Sequence, residues 1–364
     1  MKKKVFVLYG GKSAEHEVSL KSAMNVINEL DKGRYEVYAL FISQDGIWSE
    51  AVRIAGPIMS TQQLKLHTNG SISMSIGRFL TNSLYEDSVV FPVLHGTYGE
   101  DGTLQGMLEM LQITYVGNNV ISSAIGMDKV VAKQIFEASG IPITPYVSFN
   151  KYDFEQNYPY WEDLIFTRIG FPCYIKPANM GSSIGISYCK NIDELKGSIQ
   201  KALLFDEKVL VEKEIIGKEI IVGILGNEEP RVSLAGEWQR TQTFFDYEDK
   251  YLDPNLTPNI PAQIDDEVYE LIKNYCKTAF KALNGSGLMR ADFFVTEDNE
   301  IFLNEVNTLP GFTQYSMFPL LFNKTESLSY SQLLDELIEL ALSKHYSKQA
   351  LVSRRAVDDN KTTI

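Results

Sequence analysis

Short apolar runs alternate with amphipathic segments in the first third of the chain. Residues 4–10 (KVFVLYG), 35–43 (YEVYALFIS) and 89–96 (VVFPVLHG) have strand length and end near turn residues, which is typical of buried parallel strands. Apolar residues at helical spacing follow Ser19, the predicted N-cap, and residues 103–113 predict another helix. This alternation predicts an open parallel α/β sheet whose ligands bind beyond the carboxyl ends of the strands.

The alternation of single strands with helices ends near residue 124. Residues 122–142 predict a helix, and residues 171–187 predict two strands around a loop of small residues. A hairpin is predicted over residues 286–311, with its turn at residues 297–299, and Ser329 is predicted to cap the last helix. These units predict two α+β modules after the first sheet.

Four segments of the chain are therefore predicted. They are an N-terminal α/β domain (1–124), a central α+β module (125–217), a C-terminal α+β domain with the hairpin (218–347), and a mobile tail (348–364). A length of 364 residues suits two or three domains.

Charge and composition argue against several classes of function. The formal net charge of −13 argues against general nucleic-acid binding. No apolar run has the length of a membrane span, and the five-residue run after MKKK predicts a strand and not a signal peptide. Three cysteines without metal-ligand spacing predict buried, reduced thiols in a cytosolic protein.

The sequence GGKS at Gly10–Ser13 has the appearance of a P-loop. A P-loop needs a glycine five residues before its Gly-Lys-Ser, because its backbone amides must wrap around the phosphates. That position is Phe6, within the first predicted strand. The segment therefore has another role.

The hairpin carries the most specific chemistry. Asp292 lies on one strand, and Glu305 and Asn307 lie two residues apart on the other, so the latter two share a face. Oxygen ligands of this kind fit Mg²⁺, and Arg290, two residues before Asp292, can stabilise charge during phosphoryl transfer. A solvated polar face is the alternative. Because Asn304 and Glu305 interrupt an otherwise apolar strand, we favour the metal site.

Other residues predict a nucleotide site. The loop in KPANMGSSIGIS can offer backbone amides to phosphate, with Lys176 at the end of the preceding strand. Lys129 is a second candidate phosphate contact, whereas Glu219 could bind ribose hydroxyls and the backbone near Glu212 an adenine edge. Taken singly, each feature also fits an ordinary turn or an exposed charge.

Together the motifs resemble the D-alanine–D-alanine ligases of the ATP-grasp superfamily from Lys4 to about His345. The motifs that carry the resemblance are GGKSAEHEVSL, LHGTYGEDGTLQG, MDK, KPANMGSSIG, FFDYEDKY, LMRADFF and NEVNTLPGFTQYSM, in family order. The resemblance implies a three-domain ATP-grasp fold that joins two D-alanine molecules through a D-alanyl phosphate, releasing ADP and phosphate for peptidoglycan synthesis. It also implies a cytoplasmic homodimer that acts on small molecules, without nucleic-acid or membrane partners.

The resemblance also implies site residues. Glu15, His95 and Ser316 would bind the D-alanine substrates, and Arg290 with the Gly311 N–H would stabilise the tetrahedral intermediate. The metal ligands to two Mg²⁺ or Mn²⁺ would be Asp292, Glu305 and Asn307. The ATP contacts would be Lys129, Lys176, Ser182, Ser183, Glu212, Glu219 and Lys250. The need for a monovalent cation stays open.

A solvent-excluding lid is expected because an acylphosphate hydrolyses in water. The segment FFDYEDKYLDP (244–254) fits that lid, with Tyr251 able to bond Ser182 and through it Glu15. Two positions depart from the common pattern: Phe245 replaces a frequent Tyr, and Met317 a frequent Leu. The residues between Ile42 and Val89 have no predicted function.

Three alternatives stay open. The second substrate could be D-lactate or D-serine, although Tyr251 favours D-alanine in the family's usual pattern. A non-catalytic nucleotide-binding regulator is a second possibility, but such a protein is expected to lose a metal ligand or Arg290. A different ATP-grasp ligase would share the hairpin and lack GGKSAEHE and HGTYGEDG.

Overall fold

The computed structural model describes residues 2–82, 88–238 and 258–351. The lid segment and the residues of the predicted tail after 351 lie outside these ranges. Within the described residues, no helix combines the length and apolar character needed to cross a membrane.

The first unit is a five-stranded sheet of order β3-β2-β1-β4-β5. Strands β1, β2, β4 and β5 are parallel, and β3 pairs antiparallel with β2 at one edge. The predicted parallel sheet is thus confirmed, with one antiparallel edge strand in the segment that had no assigned role. Its elements are β1 (Lys3–Gly10), α1 (His16–Glu29), β2 (Tyr35–Ile42), β3 (Val52–Ile54), a 3₁₀ turn (Thr61–Leu64), α2 (Ile72–Asn82), β4 (Ser88–Pro92), α3 (Thr103–Met110), β5 (Thr114–Tyr115) and α4 (Val120–Met127).

The prediction that Ser19 caps the first helix is wrong. Helix α1 begins at His16, with Glu15 at the N-cap. Ser19 is buried inside the helix, where its hydroxyl donates to the Val93 carbonyl at 2.5 Å and accepts the Gly10 N–H at 2.8 Å. This serine therefore joins the carboxyl ends of β1 and β4 and does not start the helix.

The central unit is an antiparallel sheet of order β6-β9-β7-β8. The predicted helix over residues 122–142 is instead two helices, because Asp128 ends α4 and caps α5 by accepting the N–H groups of Val130 and Val131. The elements of this unit are α5 (Lys129–Ala138), β6 (Tyr146–Asn150), α6 (Lys151–Gln156), α7 (Tyr158–Arg168), β7 (Cys173–Pro177), β8 (Ser187–Cys189), α8 (Ile192–Ala202) and β9 (Lys208–Lys213).

The third unit is an antiparallel sheet of order β11-β10-β14-β15, beside a two-stranded sheet of β12 and β13. The predicted hairpin is confirmed as β14 and β15, and Ser329 caps the last helix in a capping box with Gln332. The elements are β10 (Lys218–Gly226), β11 (Arg231–Val232), β12 (Glu237–Trp238), β13 (Pro258–Asn259), α9 (Asp266–Ala282), β14 (Gly287–Val295), β15 (Ile301–Asn307), α10 (Met317–Glu326) and α11 (Tyr330–Gln349).

The units share their cores. Leu334 and Leu337 of α11 pack in one apolar cluster with Val5 and Val7 of the first sheet. Helix α5 lies between the other two sheets, because Val130 packs with the central sheet while Phe136 packs in the core of the third. Each sheet falls within one predicted domain range, although the domain boundaries themselves stay a prediction.

Candidate active site

One cavity of about 1180 Å³ lies where the three units meet. All predicted site residues within the described ranges line it, whereas Lys250 and Tyr251 lie outside those ranges. The lining predicted residues are Glu15, His95, Lys129, Lys176, Ser182, Ser183, Glu212, Glu219, Arg290, Asp292, Glu305, Asn307, Gly311 and Ser316.

Glu15 connects the first unit to the phosphate-loop candidate. It is buried at the start of α1, and the hydroxyl of Ser182 donates to its Oε1. A Cβ on Gly96 or Gly181 would lie 2.9 Å or 3.2 Å from Glu15 Oε2, so both glycines leave room for this carboxylate. The turn after β1 thus places an acidic group against the loop of the central unit.

A buried His–Glu pair lies beside Glu15. His95 Nδ1 lies 3.3 Å from Glu100 Oε1, and its Nε2 lies 3.2 Å from Ser22 Oγ. Burial by itself lowers the pKa of His95, but the hydrogen bond and charge of Glu100, with the charge of Glu15, raise it overall. Burial raises the pKa of Glu100 to about 6. Glu100 was not predicted from the sequence, although it lies in the HGTYGEDG motif.

The turn after β15 is held from two sides. The Phe312 N–H donates to Ser22 Oγ at 3.4 Å, and the Tyr330 hydroxyl donates to the Phe312 carbonyl. A Cβ on Gly311 would lie 2.9 Å from Ser316 Oγ, so a side chain there would displace the Ser316 hydroxyl. Ser22 therefore contacts both His95 and the backbone turn that carries Gly311.

The hairpin brings the predicted metal ligands together. Asp292 pairs with Glu305 and Arg290 with Asn307 across the two strands. Arg290 donates from Nε and an Nη to the two oxygens of Asp292 at 2.8 and 2.7 Å, and Lys129 Nζ lies 3.6 Å from Glu305 Oε2. These cations offset the acidic charge on the hairpin.

A divalent cation is compatible with this donor set. Asp292, Glu305 and Asn307 supply hard oxygen ligands, which suit Mg²⁺ or Mn²⁺. Among the described residues, no three side chains of His, Cys, Asp or Glu form a cluster able to hold a metal. In the predicted set the third ligand is an amide, so the remaining ligands must come from phosphate and water.

Three lysines of the central unit lie next to the hairpin. Lys129 donates to the Met180 carbonyl at 2.7 Å. Lys176 Nζ lies 2.5 Å from Glu212 Oε2, and Lys133 Nζ lies 2.6 Å from Glu212 Oε1. Lys133 is missing from the predicted site, although it follows Lys129 by four residues and so shares its face of α5.

Burial and charge oppose each other in this cluster. Burial favours the neutral form of Glu212, but Lys133 and Lys176 together hold its pKa below the ordinary value. Burial alone lowers the pKa of Lys176, whereas Glu212 and Glu305 raise it overall. For Lys133 burial dominates, and its pKa is lowered despite Glu212. The carboxylate thus favours the charged form of both lysines.

Two antiparallel sheets that enclose lysines and carboxylates, next to a parallel α/β sheet, define an ATP-grasp protein. Residues 4–118 match the family described as the D-ala D-ala ligase N-terminus, and residues 135–339 match the D-ala D-ala ligase C-terminus. The chain belongs to the D-alanine–D-alanine ligase family.

Individual relatives agree over nearly the whole length. The D-alanine–D-alanine ligase of Geobacillus thermodenitrificans is 45% identical over 359 residues, covering 96% of this chain and 98% of its own. The Staphylococcus carnosus ligase is 46% identical over 352 residues, with the same coverage.

Two solved structures share the fold. The D-alanine–D-alanine ligase of Coxiella burnetii has a TM-score of 0.77 and 32% identity, covering 96% of each chain. The VanG D-Ala:D-Ser ligase of Enterococcus faecalis has a TM-score of 0.77 and 33% identity, covering 94% of this chain and all of its own.

Proposed function

We propose that the protein joins two D-alanine molecules into D-alanyl-D-alanine, using ATP and forming D-alanyl phosphate. The observation that carries this proposal is the contact between Glu15 and Ser182. It places a carboxylate able to bind a substrate ammonium directly against a loop suited to phosphate. A D-alanine held by Glu15 would therefore have its own carboxylate near the γ-phosphate of ATP.

ATP would lie between the central and third sheets. Lys129 and Lys176 approach the cavity from α5 and β7, while Glu212 and Glu219 are carried by β9 and β10. In the loop between β7 and β8, Ser182 and Ser183 have φ values of 49° and 59°, a strained conformation for side-chain-bearing residues. This shape lets successive backbone N–H groups face an anion.

The hairpin would hold the metal end of the nucleotide. Asp292, Glu305 and Asn307 are the proposed ligands of two Mg²⁺ or Mn²⁺ ions. When bound there, the ions would supply positive charge that offsets the charge developing on the transferred phosphoryl group. Arg290 would be released in part from Asp292 and turn towards the same charge.

Groups of the protein itself would then position the second D-alanine and stabilise the intermediate that forms when it attacks the acylphosphate. The Gly311 N–H and Arg290 are the proposed donors to the tetrahedral intermediate, which needs donors already in place as charge develops. Ser316 is the proposed contact for the carboxylate of the second D-alanine. Lys250 and Tyr251 are the proposed lid contacts. That the protein is located in the cytosol and forms a homodimer stays a prediction.

A second candidate is ligation of D-alanine to D-serine. It is favoured by the similarity to the D-Ala:D-Ser ligase, which matches this chain as well as the Coxiella burnetii ligase does. Both activities would use the same ATP and first-substrate contacts. They would differ in the second-substrate pocket, for which Ser316 and Met317 are proposed lining residues.

The test is phosphate release from Mg²⁺-ATP with D-alanine, L-alanine, D-serine, or D-alanine with D-lactate, and product identification by mass. We expect turnover with D-alanine to give the dipeptide, and none with L-alanine. Turnover only after addition of D-serine or D-lactate would transfer the assignment to that product. ATP binding without turnover on any D-amino acid would reject the ligase proposal.

A further inference from the structure

Lys133 is a buried cation outside the set of residues proposed to contact substrates. Only 1% of its surface is exposed. Its ammonium lies 2.6 Å from Glu212 Oε1 and donates to the Asn304 carbonyl at 3.1 Å. A buried ammonium is costly unless it is paired, so this position indicates a specific role.

The position joins three elements that form the nucleotide end of the cavity. Lys133 lies on α5, Glu212 on β9 and Asn304 on β15. Asn304 also accepts a hydrogen bond from Lys176 through its side-chain oxygen at 3.4 Å, and it precedes Glu305, a proposed metal ligand. Lys133 thus contacts β15, which carries the proposed metal ligand Glu305, and shares Glu212 with the proposed phosphate contact Lys176.

Glu212 is shared between two lysines. One oxygen pairs with Lys133 and the other with Lys176 at 2.5 Å. With two ammonium groups and one carboxylate, the cluster carries one net positive charge. If Lys133 were neutral, Glu212 would cancel the whole charge of Lys176.

We propose that Lys133 is a positioning residue that occupies Glu212 as a counter-ion and so leaves the charge of Lys176 available to the phosphates of ATP. This inference rests on the proposed function for the identity of the nucleotide. It goes beyond that function by assigning a role to a residue that does not reach the nucleotide. In a site of reduced dielectric, one unit of charge changes the affinity for a polyanion about tenfold or more.

The decisive variant is Lys133→Gln, which removes the charge and keeps a polar N–H group on a side chain that is one atom shorter. The double variant K133Q/E212Q removes the carboxylate as well, so that the cluster again has one net positive charge. The matched control is Lys201→Gln, which removes an exposed lysine from α8 of the same unit. Kd is measured for the Mg²⁺ complex of a non-hydrolysable ATP analogue and for adenosine, with thermal melting as a folding check.

We expect K133Q to raise the Kd of the ATP analogue about tenfold and to leave the Kd of adenosine within about threefold. We expect the double variant to restore the ratio of the analogue Kd to the adenosine Kd to within about threefold of wild type, and K201Q to match wild type. Equal weakening for adenosine and the analogue would overturn the inference, because Lys133 would then act through packing. Failure of a folded double variant to recover would also overturn it.

A failure of the inference about Lys133 can be distinguished from a failure of the proposed ligase activity. A wild-type protein that binds the ATP analogue but releases no phosphate with any D-amino acid would reject the ligase, and the Kd comparison would still test Lys133. If K133Q does not fold, E212Q decides alone, because it keeps both ammonium groups and removes the carboxylate that Lys133 is proposed to occupy. Tighter binding of the analogue relative to adenosine supports the inference, whereas unchanged or weaker relative binding contradicts it.

Discussion

Glu15→Gln is the substitution that tests most sharply how the cavity holds its first amino acid. The glutamine keeps the shape and an oxygen that can accept from Ser182, so it changes mainly the charge. Hydrogen bonds to charged groups contribute about 1.5–3 kcal/mol, against about 0.5–1.5 kcal/mol for neutral ones. Because Glu15 is only 6% exposed, water screens this difference little. The loss is about 1–2 kcal/mol, or about a 5- to 30-fold rise in KM for the first D-alanine.

The assay is phosphate release across a range of D-alanine concentrations, fitted with separate constants for the two substrate sites. The matched control is Glu17→Gln, on the same helix, where Glu17 is exposed and pairs with Lys65 at 2.8 Å. KM for ATP should stay within about threefold in both variants. A rise in KM for ATP alone would show that Glu15 acts through the phosphate loop. Unchanged constants would refute its contact with the ammonium.

Three further results are expected. Gly311→Ala should raise KM for the second D-alanine and spare the first, because its Cβ would lie 2.9 Å from Ser316 Oγ; initial rates at both sites measure this. Glu100→Gln should lower the pKa of His95 in an NMR titration of the imidazoles, since it removes the carboxylate that favours the imidazolium. The stabilisation that His95 adds is complete below its unfolded pKa and disappears as the pH rises through its folded pKa, so the variant should lose stability at acidic pH relative to wild type. A thiol reagent should detect no cysteine in the folded protein and all three in denaturant, because Cys173, Cys189 and Cys276 are buried. An unchanged KM, an unchanged His95 pKa or a rapid thiol reaction would contradict the respective expectation.

The sequence predicted the existence of the hairpin but not its register. Residues two apart on a strand share a face, as predicted for Glu305 and Asn307. The turn alone would pair Asp292 with Asn304, and a register shift between Asp292 and Phe293 pairs Asp292 with Glu305 and Arg290 with Asn307 instead. The parallel sheet was predictable for a similar reason, because its buried strands are continuous apolar runs.

Other features depended on contacts that local patterns do not contain. Serine is a common N-cap residue. The Ser19 hydroxyl, however, donates to the carbonyl of Val93, which is distant in sequence, and accepts the N–H of Gly10 in β1. Lys133 looks like a surface lysine until α5 is placed between two sheets, where Glu212 and the Asn304 carbonyl provide its partners. Contacts in the tertiary structure therefore determine the roles of both residues.

The break between α4 and α5 was visible in principle. Asp128 is a good N-cap, and it accepts two N–H groups at the start of α5. The apolar pattern continues across it, however, so periodicity alone predicts a single helix. The cap matters for function because it fixes the start of the helix that carries Lys129 and Lys133.

The central claim is that one cavity activates the carboxylate of D-alanine by phosphorylation. It is tested most directly by reacting Mg²⁺-ATP with D-alanine labelled with ¹⁸O in both carboxylate oxygens, followed by mass analysis of the phosphate. Attack of the carboxylate on the γ-phosphate and later loss of phosphate from the acyl carbon would transfer one labelled oxygen to each phosphate released. Phosphate free of ¹⁸O, formed together with the dipeptide, would contradict the acylphosphate route.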